Sequence, residues 1–76
     1  MLASALEHLV RGIVDRPDDV RVDAIDSARG EVLEVHVHSE DLGRVIGRQG
    51  RTATALRTLI TALADGRRVR VDVADN

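Results

Sequence analysis

The 76-residue chain has no cysteine, no phenylalanine, tyrosine or tryptophan, and no lysine. Lack of cysteine removes disulfides, thiolate metal ligands and thiol nucleophiles, and it suits a reducing compartment. Lack of aromatic rings removes the platform on which unpaired bases stack, so a sheet that reads RNA through aromatic side chains is excluded. Lack of lysine excludes Schiff-base chemistry and a P-loop. No apolar run approaches the roughly 20 residues that span a bilayer, and no charged-then-apolar leader opens the chain. The expectation is a cytoplasmic protein without membrane insertion. What remains is ordinary globular material, 43% hydrophobic and 32% charged, of a length that suits one domain over residues 1–76.

The formal net charge of −2 speaks at first against a nucleic-acid partner, but it is an average over two unlike parts. Residues 1–42 carry four arginines against ten carboxylates, whereas residues 43–70 carry seven arginines against Asp65 alone. One reading is scattered surface charge. The other is a basic site on an acidic body, which attracts an anion locally whatever the total.

Leu2, Leu6, Leu9, Val10, Ile13 and Val14 recur at helical spacing, so an amphipathic helix is expected to run until Pro17, with Ser4 and Glu7 as a capping box. Two alternating strands follow. The first sets Val20, Val22 and Ala24 against Arg21, Asp23 and Ile25; the second sets Leu33, Val35 and Val37 against Glu34, His36 and His38. Ser27-Ala28-Arg29-Gly30 joins them as a hairpin. Ser39 reads as the N-cap of a short helix, with Glu40 and Asp41 at its positive end and Leu42, Val45 and Ile46 on its apolar side. A longer helix starts near Gly50, has Leu56, Leu59, Ile60 and Leu63 as its core stripe, and stops at Gly66. Residues 68–73 alternate again, with three valines inward. Helix, strand, strand, helix, helix, strand describes an α+β fold with helices on one face of a three-stranded sheet.

The stretch with chemical content is Val45-Ile46-Gly47-Arg48-Gln49-Gly50-Arg51. Two glycines three apart make a tight turn with no Cβ over the peptide planes, so a polymer backbone can approach closely. The turn feeds a helix N-terminus, whose free N–H groups and dipole favour phosphate. Arg48 and Arg51 flank the turn as bidentate phosphate donors, Gln49 adds an uncharged donor and acceptor, Ile46 forms an apolar floor facing the second strand across a groove, and Arg44 and Val45 complete the candidate site. Taken alone, a G-x-x-G is also a plain corner between helices. Its place between two helices after a hairpin, with arginines within and after it, favours the binding site.

The element order and this turn resemble a KH domain of the second, prokaryotic type, a family that clamps about four nucleotides at its GXXG loop. The run Gly43 to Ala53, with the minimal length, resembles the small bacterial KhpA family over nearly the whole chain. The resemblance implies a type II KH fold (α-β-β-α-α-β) with the third strand beside and parallel to the first. It also implies single-stranded RNA binding of low sequence specificity, as an RNA chaperone or post-transcriptional regulator. Further implied are a homodimer or a heteromer with a KhpB (Jag)-type protein, and a link to cell-envelope growth and cell length. A KH-shaped protein-interaction adaptor and a ribosome-assembly factor are the alternatives.

No enzyme chemistry, cofactor or metal is expected. His36 and His38 share a strand face, but two ligands do not make a zinc site, no third is identifiable, and a solvated face is the reading. His8 borders the first helix's stripe, the paired acids Asp18-Asp19 lie after Pro17, and the serines have turn or cap explanations. Thr52, Ala55, Thr58 and Ala62 form a small-residue strip on the long helix. Ala55, Thr58 and Ala62 are the candidate dimer surface.

Overall fold

The computed structural model describes residues 2–74. Its elements are α1 (Leu2–Arg11), β1 (Arg21–Ser27), β2 (Gly30–His36), α2 (Leu42–Ile46), α3 (Arg51–Ala64) and β3 (Val69–Val73), with single 3₁₀ turns at Pro17–Asp19, Ser39–Asp41 and Arg48–Gly50. The fold is α+β, with a three-stranded mixed sheet and three helices.

Leu2, Leu6 and Val10, four residues apart, form the buried line of α1. Leu6 and Val10 are fully excluded from solvent, and burial of such a side chain stabilises by ~1.5–3 kcal/mol. The helix ends at Arg11, six residues short of Pro17. Gly12 follows, the poorest helix former after proline, and the chain turns there with N–H groups on the carbonyls of His8, Leu9 and Val10. Ile13 and Val14 pack on the core from outside the helix. Pro17 instead opens a 3₁₀ turn, where its fixed φ fits the first position. Ser4 lies inside α1, so it does not serve as its cap.

The hairpin forms in the expected antiparallel register, with Val22 opposite Val35 and Ser27 opposite Gly30. Ser27 closes the turn: its Oγ donates to Gly30 O at 2.8 Å and accepts from the Arg29 N–H at 3.3 Å. Ala24, assigned to the buried face, is exposed although its partner Leu33 is fully buried, because β1 is an edge strand whereas β2 lies at the centre of the sheet.

The third strand lies beside β2, not beside β1. It is parallel to β2, with Val71 opposite Leu33 and Val73 opposite Val35. The hairpin already fills one edge of β2, so the other edge is the one open to a returning strand. The two-helix connection carries the chain back to the start of β2, which makes the pairing parallel. β2 thus becomes the central strand, consistent with complete burial of Leu33 and Val35.

On α3 the buried line is Ala53, Leu56, Ile60 and Ala64, whereas Leu59 and Leu63 are 49% and 58% exposed. Alanine at both ends lets the helix lie close on the core, rotated so that its other two leucines face outward. Asp65 and Gly66 end α3 in the left-handed region, at φ 51° and 87°.

One buried polar group ties the helical layer together. The Asp41 carboxylate, 1% exposed, accepts from the N–H groups of Asp15 at 3.2 Å and Arg16 at 3.0 Å. It thus holds the link after α1 against the base of α2. The cap expected from Ser39 is supplied one residue earlier, by His38 Nδ1, which accepts from the Glu40 N–H at 3.1 Å.

Candidate nucleic-acid interface

α2 stops at Gly47 because the backbone there leaves helical space at φ 78° and ψ 168°. A Cβ on Gly47 would stand 2.7 Å from both Cβ and N of Thr52, so glycine is required here by conformation and by packing. Gly50, at φ 74°, has open space around it and is required by conformation alone. Between them Gln49 sits at φ 57° and ψ 26°, a left-handed conformation costing about 1–2 kcal/mol for a residue with a side chain. Gly47 N–H donates to Gly43 O at 2.9 Å and Gly50 N–H to Gly47 O at 3.1 Å, which leaves the N–H groups of Arg48 and Gln49 outside the ladder that closes the turn. The strain aims these peptide planes and the Arg48 and Gln49 side chains, both exposed, away from the body.

Beside the turn runs an open groove lined by Ile46, Gln49, Gly50, Ala53, Thr54 and Arg57 on one side, and by Asp72 and Val73 on the other. Its far wall is therefore β3, not β2 as the linear reading had it. Ile46 is 39% exposed and forms part of the apolar floor. Val45 is fully buried in the core and contributes only by fixing α2. Ala53, Thr54, Arg57, Asp72 and Val73 were missed from sequence. The first three follow from Gly50 at spacings of three, four and seven, which is one helical face. Arg57 Nε donates to Val71 O at 3.0 Å, so this guanidinium spans from α3 to the exposed edge of β3.

The seven arginines of the basic segment divide in space. Arg44, a predicted site residue, pairs with Asp15 at 3.2 Å, Arg67 with Glu31 at 3.6 Å and Arg70 with Asp72 at 3.1 Å. Arg67, Arg68 and Arg70 gather with Arg29 near the hairpin turn, at the far end of α3. A 14-residue helix puts that end ~21 Å from the GXXG turn. At the turn itself, Arg48 and Arg51 have no carboxylate partner among the described residues, and Arg51 reaches only Gln49 Oε1, at 3.4 Å. Two guanidiniums without a described carboxylate partner, flanking uncommitted N–H groups at a helix N-terminus, make an anion-binding concavity.

The predicted small-residue strip is exposed at Ala55, Thr58 and Ala62, with Thr58 Oγ1 donating back to Thr54 O at 3.0 Å. Sequence reasoning missed its apolar borders. Leu59 adjoins Leu9 and Ile13 of the α1 side, and Leu63 adjoins Leu2 and Ala5, so α1 and α3 share one partly apolar outer face.

A hairpin followed by two helices meeting at a GXXG turn, then a strand parallel to the hairpin's second strand, defines a KH-type domain. The chain belongs to the KhpA/KhpB KH-domain family, whose model matches residues 3–74. It is 78% identical over 76 residues, the full length of both chains, to the RNA-binding protein KhpA of Leifsonia xyli subsp. xyli. It is 67% identical over 75 residues to the RNA-binding protein KhpA of Mycobacterium tuberculosis, covering 99% of this chain and 92% of that one. To the RNA-binding protein KhpA of Streptomyces coelicolor it is 64% identical over 75 residues, covering 99% and 94% respectively. No solved structure matches significantly. Among the described residues no helix is long and apolar enough to cross a membrane.

Proposed function

We propose that this protein binds single-stranded RNA in the groove between the GXXG turn and β3, holding about four nucleotides with low sequence specificity. The observation that carries the reading is the strained turn, with Gly47, Gln49 and Gly50 all at positive φ, and beside it two arginines with no carboxylate partner among the described residues. Phosphates lie against the Arg48 and Gln49 peptide planes, Arg48, Arg51 and the α3 N-terminus. Bases lie over Ile46 and Ala53 toward the β3 edge. The names of its relatives support RNA as the ligand. Crosslinking in living cells tests this: RNA is expected to be recovered covalently attached to the protein, whereas a pure adaptor yields none.

With no aromatic side chain, one copy forgoes the ~1–3 kcal/mol per base that stacking supplies. We therefore assign the protein to work as a homodimer or with a KhpB-type partner, which raises effective concentration on RNA. An RNA chaperone or post-transcriptional regulator in the cytoplasm, acting in cell-envelope and cell-length control, is the role the family resemblance supports. The exposed leucines of the α1/α3 face favour that surface as the contact, and also favour an adaptor as the second reading. Leu59→Arg with Leu63→Arg is expected to yield a monomer by sedimentation that keeps its helix content, with a melting temperature that no longer rises with protein concentration. A sedimentation profile unchanged from wild type would remove this face from the assembly.

A further inference from the structure

The outer face of the sheet, away from the helices and from the groove floor, gathers three side chains that the family reading does not use. In the antiparallel register Asp23 stands directly opposite Glu34, and His36 follows Glu34 by two residues on the same face. His36 Nε2 lies 2.8 Å from Glu34 Oε1 and 3.3 Å from Asp23 Oδ2. The three ligand atoms are all within 4.8 Å of one another, and all three residues are half-buried. Two donors each bound at ~2.1 Å to one small cation, at right or tetrahedral angles, sit roughly 3.0–3.4 Å apart. His36 Nε2 donates a hydrogen bond to Glu34 Oε1, so the three groups already converge on one proton, which a cation at that point displaces.

Like charges placed directly opposite across two strands destabilise the pairing. Asp23 and Glu34 are so placed, and what offsets them is cationic or polar: His36, and Arg21 with its Nε 3.3 Å from Asp23 Oδ2. The Arg21 side chain is 65% exposed and free to swing into solvent when a stronger cation arrives. His38, once the natural companion for His36, is not part of the cluster. It has left the strand to accept the Glu40 N–H.

We propose that Asp23, Glu34 and His36 form a binding site for a divalent transition-metal ion on the solvent face of the β1–β2 hairpin. Two carboxylates and one imidazole, with water in the remaining position, match Zn²⁺ by ligand type and number. The ion fastens the edge strand β1 to the central strand β2, so its effect falls on the stability of the sheet and not on the groove.

Titration of metal-free full-length protein with Zn²⁺ by calorimetry, and with Co²⁺ by visible absorption, tests this. One ion per chain is expected, with a rise in melting temperature. Asp23→Asn, Glu34→Gln and His36→Gln are each expected to weaken binding by about 10-fold or more, while His38→Gln changes it little. All three ligand side chains are partly solvent-exposed, and far-UV circular dichroism checks that each variant folds. No 1:1 binding by the wild type would overturn the site. Binding that survives Asp23→Asn and Glu34→Gln but is lost with His38→Gln would overturn it equally, as surface-histidine capture.

Discussion

Arg48→Asp combined with Gln49→Asp is expected to weaken single-stranded RNA binding by 100-fold or more while leaving helix content and melting temperature near those of the wild type. The double change removes one guanidinium and one amide, and it places two carboxylates at the positions proposed for phosphates. Like-charge juxtaposition in an interface costs several kcal/mol, and each ~1.4 kcal/mol is a factor of ten. Folding is spared because both side chains are exposed and neither makes an ion pair among the described residues. Moreover, aspartate tolerates the left-handed conformation at position 49 better than glutamine does. With about three phosphate contacts, the wild-type affinity should fall with salt at a log–log slope of roughly −2, from about −0.7 per phosphate on single strands. Electrophoretic or fluorescence titration over a salt series measures both quantities. A double mutant that binds as tightly as the wild type would remove the turn from the interface.

The second large effect is expected at a residue that never meets RNA. Asp41→Ala deletes the acceptor of two N–H groups in the chain after α1, and leaves them without it in a part-buried position. Hydrogen bonds to a charged group contribute ~1.5–3 kcal/mol each, so a loss of about 3 kcal/mol is expected. For a domain of this size each kcal/mol shifts the melting temperature by roughly 4–8 °C, which puts the drop near ~12–24 °C. Asp41→Asn keeps one acceptor and should lose about half as much. Thermal denaturation followed by circular dichroism reads the difference. Alanine and wild type melting together would show that the latch contributes nothing. Since Asp41 immediately precedes α2, and α2 ends at the GXXG turn, this contact also fixes the base from which the turn projects.

What could be read along the chain was what depends on near neighbours. The alternation of Leu33, Val35 and Val37, and of Val69, Val71 and Val73, identified strands because side-chain direction reverses at every residue. Gly47 and Gly50 stood out because two glycines three apart make a tight turn with no Cβ over the backbone. Residues decided by distant parts of the chain were not legible. Leu59 and Leu63 are as apolar as Leu56 and Ile60, and only the position of α1 and the sheet decides which pair is buried. The resemblance put β3 beside β1, and alternation, which says nothing of which edge is free, could not correct it. Asp41 looked like helix-dipole complement beside Glu40, since its partners lie 25 and 26 residues away. In the same way Asp23 could not be placed beside Glu34 and His36 until the hairpin register put it opposite Glu34. The groove shows both cases at once: Ala53, Thr54 and Arg57 follow from Gly50 by helical spacing, but its β3 wall does not.

The measurement closest to the central claim is the location of the crosslink itself. Mass spectrometry of peptides carrying crosslinked nucleotides should find them attached between residues 46 and 57 and along the edge of β3 at residues 71–73. Attachment concentrated instead on the outer sheet face, among residues 21–25 and 32–36, would contradict the account.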